Sequence, residues 1–249
     1  MPKEKLQSKS WKEKGVVIVT AHPDDEALFF GTILQLKKAG VPITVIVMTL
    51  GELGSLHGVP ESELTNERVK EVRRKELENG MKAIGASYEI LPFADFALRY
   101  EAPEKLEVAL LDVVRRIQPA AIFSFLDQEV TFQFDHPDHN TTGHLARVVG
   151  AGSDMQRYPN KENFPNAVPA MDRRPELYLW TTDKGVATHT VKLTKPERRT
   201  RNEYLKTHYP SQFSEADEKN WSKIFDNITK KKKSKKGKKK QREYFKRVR

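Results

Sequence analysis

The chain of 249 residues contains no cysteine, which excludes disulfides and thiolate metal sites and leaves histidine and carboxylate as the only strong metal ligands. Its length suits one large domain. With no apolar leader in residues 1–14 and no run of membrane-spanning length, a soluble, cytoplasmic protein is expected. The formal charge of +10 is concentrated at the end: nine Lys in 230–240 with Arg242, Lys246, Arg247 and Arg249, against Glu243, amount to +12 and leave −2 for the other 228 residues. The basic pI therefore gives no reason for the folded body to grip nucleic acid.

Residues 16–21 form an apolar, β-branched run without alternation, the pattern of a buried strand in a parallel sheet, and the run stops at His22-Pro23-Asp24-Asp25-Glu26. Pro23 cannot continue the ladder. From Ala27 onward the apolar spacing (Leu28, Phe29, Ile33, Leu34, Leu36) becomes helical, with Asp25 expected as the N-cap. Ligands of open α/β sheets bind at the carboxyl ends of strands, so chemistry is expected at this turn. A histidine and a carboxylate three residues apart, on a path stiffened by proline, can converge on one divalent ion. The plainer alternative, a capping acid beside a solvent-facing histidine, accounts for one aspartate but not for four such residues on one strand end.

The helix should end near Gly40, and 43–49 is the second strand. The following loop, 50–62, holds Gly51, Gly54, Gly58 and His57 but lacks both the P-loop lysine spacing and G-x-G-x-x-G. It reads as a substrate loop, with His57 on its surface. Residues 66–84 form an amphipathic helix whose inner stripe is Val69, Val72, Leu77, Met81 and Ile84, with Arg73 near the stripe's edge. A third strand over 88–93 leads to Asp95, and Pro103 opens a helix over 103–117. The strand 121–126 is followed by Phe134-Asp135-His136-Pro137-Asp138-His139-Asn140, again His-Pro-Asp at a helix entrance. Two histidines three apart allow one to bind a metal and the other to stand beside it.

Residues 141–150 complete that helix, and 151–175 are loop-rich. Strands are expected over 176–180 and 188–193, and helices over 195–207 and 215–228. The alternation of strand and helix predicts a mostly parallel sheet with right-handed crossovers. The expected organisation is a single domain over 1–228 and a lysine-rich segment over 229–249. Tyr244, Phe245 and Val248 supply apolar anchors by which the end of that segment can dock on the body.

Ala21-His22-Pro23-Asp24-Asp25-Glu26 together with His136-Pro137-Asp138-His139, each after a strand, resembles the signature of the PIG-L/LmbE-like zinc-dependent N-deacetylases, which remove acetyl groups from N-acetylglucosamine-containing compounds. The resemblance runs from about residue 16 to residue 144. It includes Thr49-Leu50-Gly51-Glu52-Leu53-Gly54, Arg73-Arg74-Lys75-Glu76 leading to Ala83-Ile84-Gly85, and Phe93-Ala94-Asp95. More loosely, His208-Tyr209-Pro210-Ser211-Gln212-Phe213 resembles a late motif of the family and Glu243-Tyr244-Phe245 its terminal segment. Phe96 departs from the pattern, since a glycine commonly follows that aspartate.

The resemblance implies a Rossmann-like three-layer α/β sandwich with helices on both faces. It further implies Zn2+ held by His22, Asp25 and His139, with a fourth position open to water. Asp24 is then the general base and later the acid, a protonated His136 stabilises the oxyanion, and Asp138 orients His136. Arg73 and Asp95 are the implied substrate contacts, and Glu26 a helix-start carboxylate. The implied partner is a small-molecule N-acetylglucosaminide, selected by loops 50–65 and 151–175. The sequence admits a homo-oligomer without specifying one, and residues 230–249 are expected to attract polyanions weakly. Two other readings stay open: a metal-dependent amidase or phosphoesterase on another substrate, and a polyanion-binding protein acting through its lysine tail. The second leaves both His-Pro-Asp clusters unexplained.

Overall fold

The computed structural model describes residues 9–126, 136–160, 162, 164–165, 168–214, 218, 220–221, 223 and 241–248. The expected apolar runs form the middle of one seven-stranded sheet: β1 (Val16–Thr20), β2 (Ile43–Thr49), β3 (Ser87–Phe93), β4 (Ala121–Phe125) and β5 (Glu176–Trp180), with β6 (His189–Leu193) and β7 (Gln241–Val248) beyond them. The strand order is β3-β2-β1-β4-β5-β7-β6. Pairing is parallel from β3 to β5, and β7 runs antiparallel to both β5 and β6. The order reverses between β1 and β4, which opens a crevice at their carboxyl ends. Both His-Pro-Asp clusters follow those two strands.

Side chains alternate across the sheet and define two cores. Val16 and Ile18 join Phe29, Phe30, Ile33, Leu77, Met81, Tyr204 and Phe245 on one face, beneath α2 (Phe30–Lys38), α3 (Asn66–Ile84) and α6 (Lys195–His208). Val17 and Val19 join Leu106, Leu110, Val114, Leu145 and Val149 on the other, beneath α4 (Pro103–Ile117) and α5 (Pro137–Gly152). The result is the three-layer α/β sandwich. A short helix, α1 (Lys9–Lys14), adds Trp11 to the first core, in edge contact with Phe123 and Tyr178. No helix of the described residues is long and apolar enough to cross a membrane.

Two expectations change. Residues 25–29 form a 3-10 turn before α2, and Asp25 does not cap the helix. Its Oδ2 instead turns back to accept from the N–H groups of Ala21 (3.1 Å) and His22 (2.9 Å). On α3, Arg73 is only 5% exposed and lies on the inner stripe, whereas Val72 is half-buried, because the guanidinium finds acceptors inside. The end of the C-terminal segment docks on the body, as its apolar anchors allow, and does so as a strand: β7 lies between β5 and β6 with Glu243, Tyr244 and Phe245 buried. The lysine block over 230–240 and most of the helix expected over 215–228 lie outside the described residues.

With Asp25 turned away, β7 supplies the groups at the start of α2. The helix has no side-chain cap of its own. The Glu243 carboxylate, brought by β7, accepts from the N–H of Gly31 and of Thr32 (2.9 Å) and from the Thr32 hydroxyl (2.6 Å). Free N–H groups and the positive end of the helix dipole offset part of the cost of burying this acid. A Cβ at residue 31 would stand 2.7 Å from Leu193 and 2.8 Å from Glu243 Oε1, so only glycine admits the approach.

Candidate metal centre

The turn after β1 separates two neighbouring acids by backbone conformation. Asp24 has φ 91, in the left-handed region that aspartate tolerates better than most residues, so its side chain leaves the chain in a different direction from that of Asp25. Asp25, anchored by the two N–H groups, presents Oδ1 at 3.1 Å from His139 Nε2, while its Oδ2 lies 3.6 Å from His22 Nδ1. One ligand atom each from His22, Asp25 and His139 falls within 4.8 Å of the others. The His139 ring is stacked on Phe125, the last residue of β4, at 4.4 Å and 15°.

The other face of His22 is also spoken for. Its Nε2 is 3.0 Å from Asp95 Oδ1 and 3.6 Å from Asp138 Oδ2. Burial disfavours the charged imidazole, but Asp138, Asp95 and Asp25 together hold its pKa at about 9. Burial likewise opposes ionisation of Asp25, which His139 and His22 nevertheless keep well below the usual carboxylate range. Asp95 is pulled up by burial and, more strongly, down by His22 and the Leu53 N–H, to about 2. Three carboxylates around one imidazole are a place for a cation, and Asp138 Oδ1 is buried without a partner. The donor set suits a divalent ion of the zinc class: His22, Asp25 and His139 would hold it, and Asp95 would occupy the remaining nitrogen of His22.

Asp24 points at Arg73, whose Nη2 donates to its Oδ2 at 2.8 Å and to the Pro23 carbonyl at 2.9 Å, while Nη1 donates to the Gly51 carbonyl at 3.0 Å. Burial raises Asp24, Arg73 lowers it and Asp25 raises it, leaving it at about 6. Beneath it Glu26 is fully buried, accepting from the Asp24 N–H (3.2 Å) and the Tyr204 hydroxyl (2.8 Å), with burial pushing its pKa up to about 7. Glu26 therefore supports the turn from below. Nothing in its local sequence signals Tyr204, 178 positions away.

His136 is the N-cap of α5, with Nδ1 accepting from the Asp138 N–H at 3.2 Å. The ring proton of the neutral form therefore sits on Nε2. Burial, His22 and His139 all lower its pKa, to about 4. Asp138 meets His136 through its main chain. Its carboxylate faces the Phe96 N–H (2.7 Å) and His22. Of the two expected substrate contacts, Arg73 is engaged by Asp24 and two carbonyls. Asp95 is engaged by His22 and the N–H groups of Leu53 (3.1 Å) and Phe96 (2.9 Å), so both belong to the frame of the site. The late segment 208–213 is also part of that frame: Ser211 donates to Glu76 through both N–H and hydroxyl, and Gln212 to the Ser55 carbonyl. The described geometry gives His57 a main-chain bond to Ser211 only through its N–H.

The architecture and sequence have relatives. The N,N'-diacetylchitobiose deacetylase of Pyrococcus horikoshii superposes with a TM-score of 0.76 over 98% of this chain and 87% of its own, at 22% identity, which is a likeness of fold. A protein of Bacillus anthracis named as a probable N-acetyl-alpha-D-glucosaminyl L-malate deacetylase 2 is 34% identical over 133 residues, 53% of this chain; the chain spans 57% of that relative's length. The 4-oxalmesaconate hydratase of Pseudomonas putida is 27% identical over 176 residues, 69% of this chain and 66% of its own. Residues 17–149, more than half the chain and containing both His-Pro-Asp turns, match the family described as PIG-L, GlcNAc-PI de-N-acetylase, and the chain belongs to that family.

Proposed function

We propose that this protein is a zinc-dependent hydrolase that removes the N-acetyl group from an N-acetylglucosamine-containing small molecule. The observation that carries the reading is the division between adjacent acids: Asp25 faces His22 and His139, while Asp24 is turned away, held at about 6 and aimed by Arg73. His22, Asp25 and His139 would hold a zinc ion, whose Lewis acidity would bring the ionisation of water near neutral pH and polarise the acetyl carbonyl. Asp24 takes the proton from water and returns it to the departing amine, a role matched to its pKa. His136, with Nδ1 engaged by the Asp138 N–H, donates from Nε2 to the oxygen on which negative charge develops. Arg73 and Glu26 keep Asp24 in place. The products are acetate and a glucosaminide with a free amine. The test is acetate release by zinc-loaded protein from a panel of N-acetylglucosaminides; no release from any member, with zinc bound, sinks the reading.

A second reading, water addition to an unsaturated polycarboxylate, is favoured by the Pseudomonas putida relative. Such a substrate needs cationic partners, and the buried arginine beside this site turns both terminal nitrogens to Asp24, Pro23 and Gly51. Loss of absorbance from a conjugated polycarboxylate, without acetate release from glucosaminides, would select it.

A further inference from the structure

Phe96 occupies a conformation the proposed reaction does not require of it. Its φ is 59, in the left-handed region that glycine adopts freely and a bulky side chain adopts at a cost. The backbone is pinned there from two sides, its N–H facing Asp95 Oδ1 at 2.9 Å and Asp138 Oδ2 at 2.7 Å. A glycine would make the same hydrogen bonds without strain. Strain retained in a site points to use of the side chain that carries it.

The phenyl ring is placed at the mouth of the centre. Its centroid is 4.1 Å from that of His136, at 61°, and the residue is 45% exposed. On the other side of Asp95, Leu53, whose N–H is bonded to Oδ2, is 57% exposed. One buried carboxylate thus anchors two apolar side chains open to solvent beside a polar centre. His136 gains no orientation that the Asp138 N–H does not already provide.

We infer that Phe96 is a specificity-determining residue, an aromatic platform that takes the apolar face of an uncharged ring flanking the acetamido group, either a pyranose or an aryl aglycone. The identity of the sugar rests on the deacetylase reading; the platform does not. C–H groups carry the positive partial charge that an aromatic face attracts, and an anionic substituent in the same place is repelled by it. The preferred substrate is then a neutral disaccharide or aryl glycoside in place of a carboxylate-bearing one.

The test is calorimetric binding of phenyl and methyl 2-acetamido-2-deoxyglucosides to zinc-loaded wild type, Phe96→Gly and Phe96→Tyr, with acetate release measured on the same samples. Wild type and Phe96→Tyr should bind the phenyl glycoside about tenfold more tightly than the methyl one. Phe96→Gly should bind the two within about twofold at unchanged zinc content. A phenyl preference that survives in Phe96→Gly, a wild type without preference, or no binding of either glycoside overturns the platform. Intact preference without acetate release overturns the deacetylase reading and leaves the platform standing.

Discussion

The two His-Pro-Asp turns share a tripeptide and differ in almost everything the tripeptide does. After β1, His22-Pro23 leads to Asp24 in a left-handed conformation, and the third position is thrown outward to Arg73. After β4, His136-Pro137 enters α5 directly, and the third position, Asp138, is fully buried against Phe96 and His22. The fourth positions, Asp25 and His139, meet each other at 3.1 Å. The second turn caps its own helix with His136, whereas the first borrows its cap from Glu243, more than two hundred residues away. A short motif thus specifies which groups are available at a strand end, and backbone conformation assigns them.

If the fourth positions are equivalent, Asp25→Ala and His139→Ala should have the same and the largest effect. Each should lower zinc affinity by more than about a hundredfold, beyond what loss of a supporting hydrogen bond costs, and abolish acetate release. Zinc retained at wild-type stoichiometry in either variant, measured by elemental analysis, would break the equivalence.

The third positions should behave differently from each other. Asp24→Asn should keep zinc and lose about 10²–10⁴ in kcat, as expected for removal of a general base. Asp138→Asn should lower zinc affinity by about 10–100-fold through His22, with a smaller loss of kcat at saturating zinc. Near-normal turnover by Asp24→Asn would remove it from the chemistry.

The borrowed cap gives a pH signature. Burial raises Glu243 from 4.5 to about 7, and hydrogen bonds from Thr32 and Gly31 offset only part of that shift. The folded protein therefore binds more protons than the unfolded chain between pH 4.5 and 7, so this group's stabilisation is full below that window and is lost as pH rises through it. Metal-free wild type should lose on the order of 2–3 kcal/mol from this group between pH 4.5 and 8, and Glu243→Gln should show a flatter profile by denaturant unfolding. Identical profiles would mean that β7 does not control the start of α2 through this carboxylate.

Neither turn should respond to the lysine block. Replacing the nine lysines of 230–240 by glutamine should change acetate release by less than about twofold and abolish salt-dependent retention on heparin. A large fall in turnover at full zinc content would tie those charges to the substrate.

Much of this was legible in the sequence because the signals are local. The uninterrupted β-branched runs place β1 and β2, the apolar stripe places α3, and Pro103 marks the first turn of α4, because burial on both faces of a parallel strand or along one face of a helix leaves its period in the chain. The two histidine clusters are likewise readable, since strand ends at a reversal of strand order face a crevice. Their division of labour entered only through the family resemblance, which gave Asp25 to the metal and Asp24 to the base. In the fold, the aim of Asp24 depends on φ at one residue and on Arg73, and the roles of Asp95 and Asp138 on a histidine that no local pattern pairs with them.

By itself the sequence determined β1 to β6, α2 to α6 and the pair of turns with the groups they carry. The tertiary structure decided what turns Asp24 and Asp25 apart, that Arg73 turns inward, that Phe96 stands where the backbone is left-handed, and that residues 241–248 complete the sheet. The reason is physical: periodicity and capping act over one or two turns of chain. Hydrogen-bond partners and desolvation are set by whatever residues the fold brings within about 3 Å, at any separation in sequence.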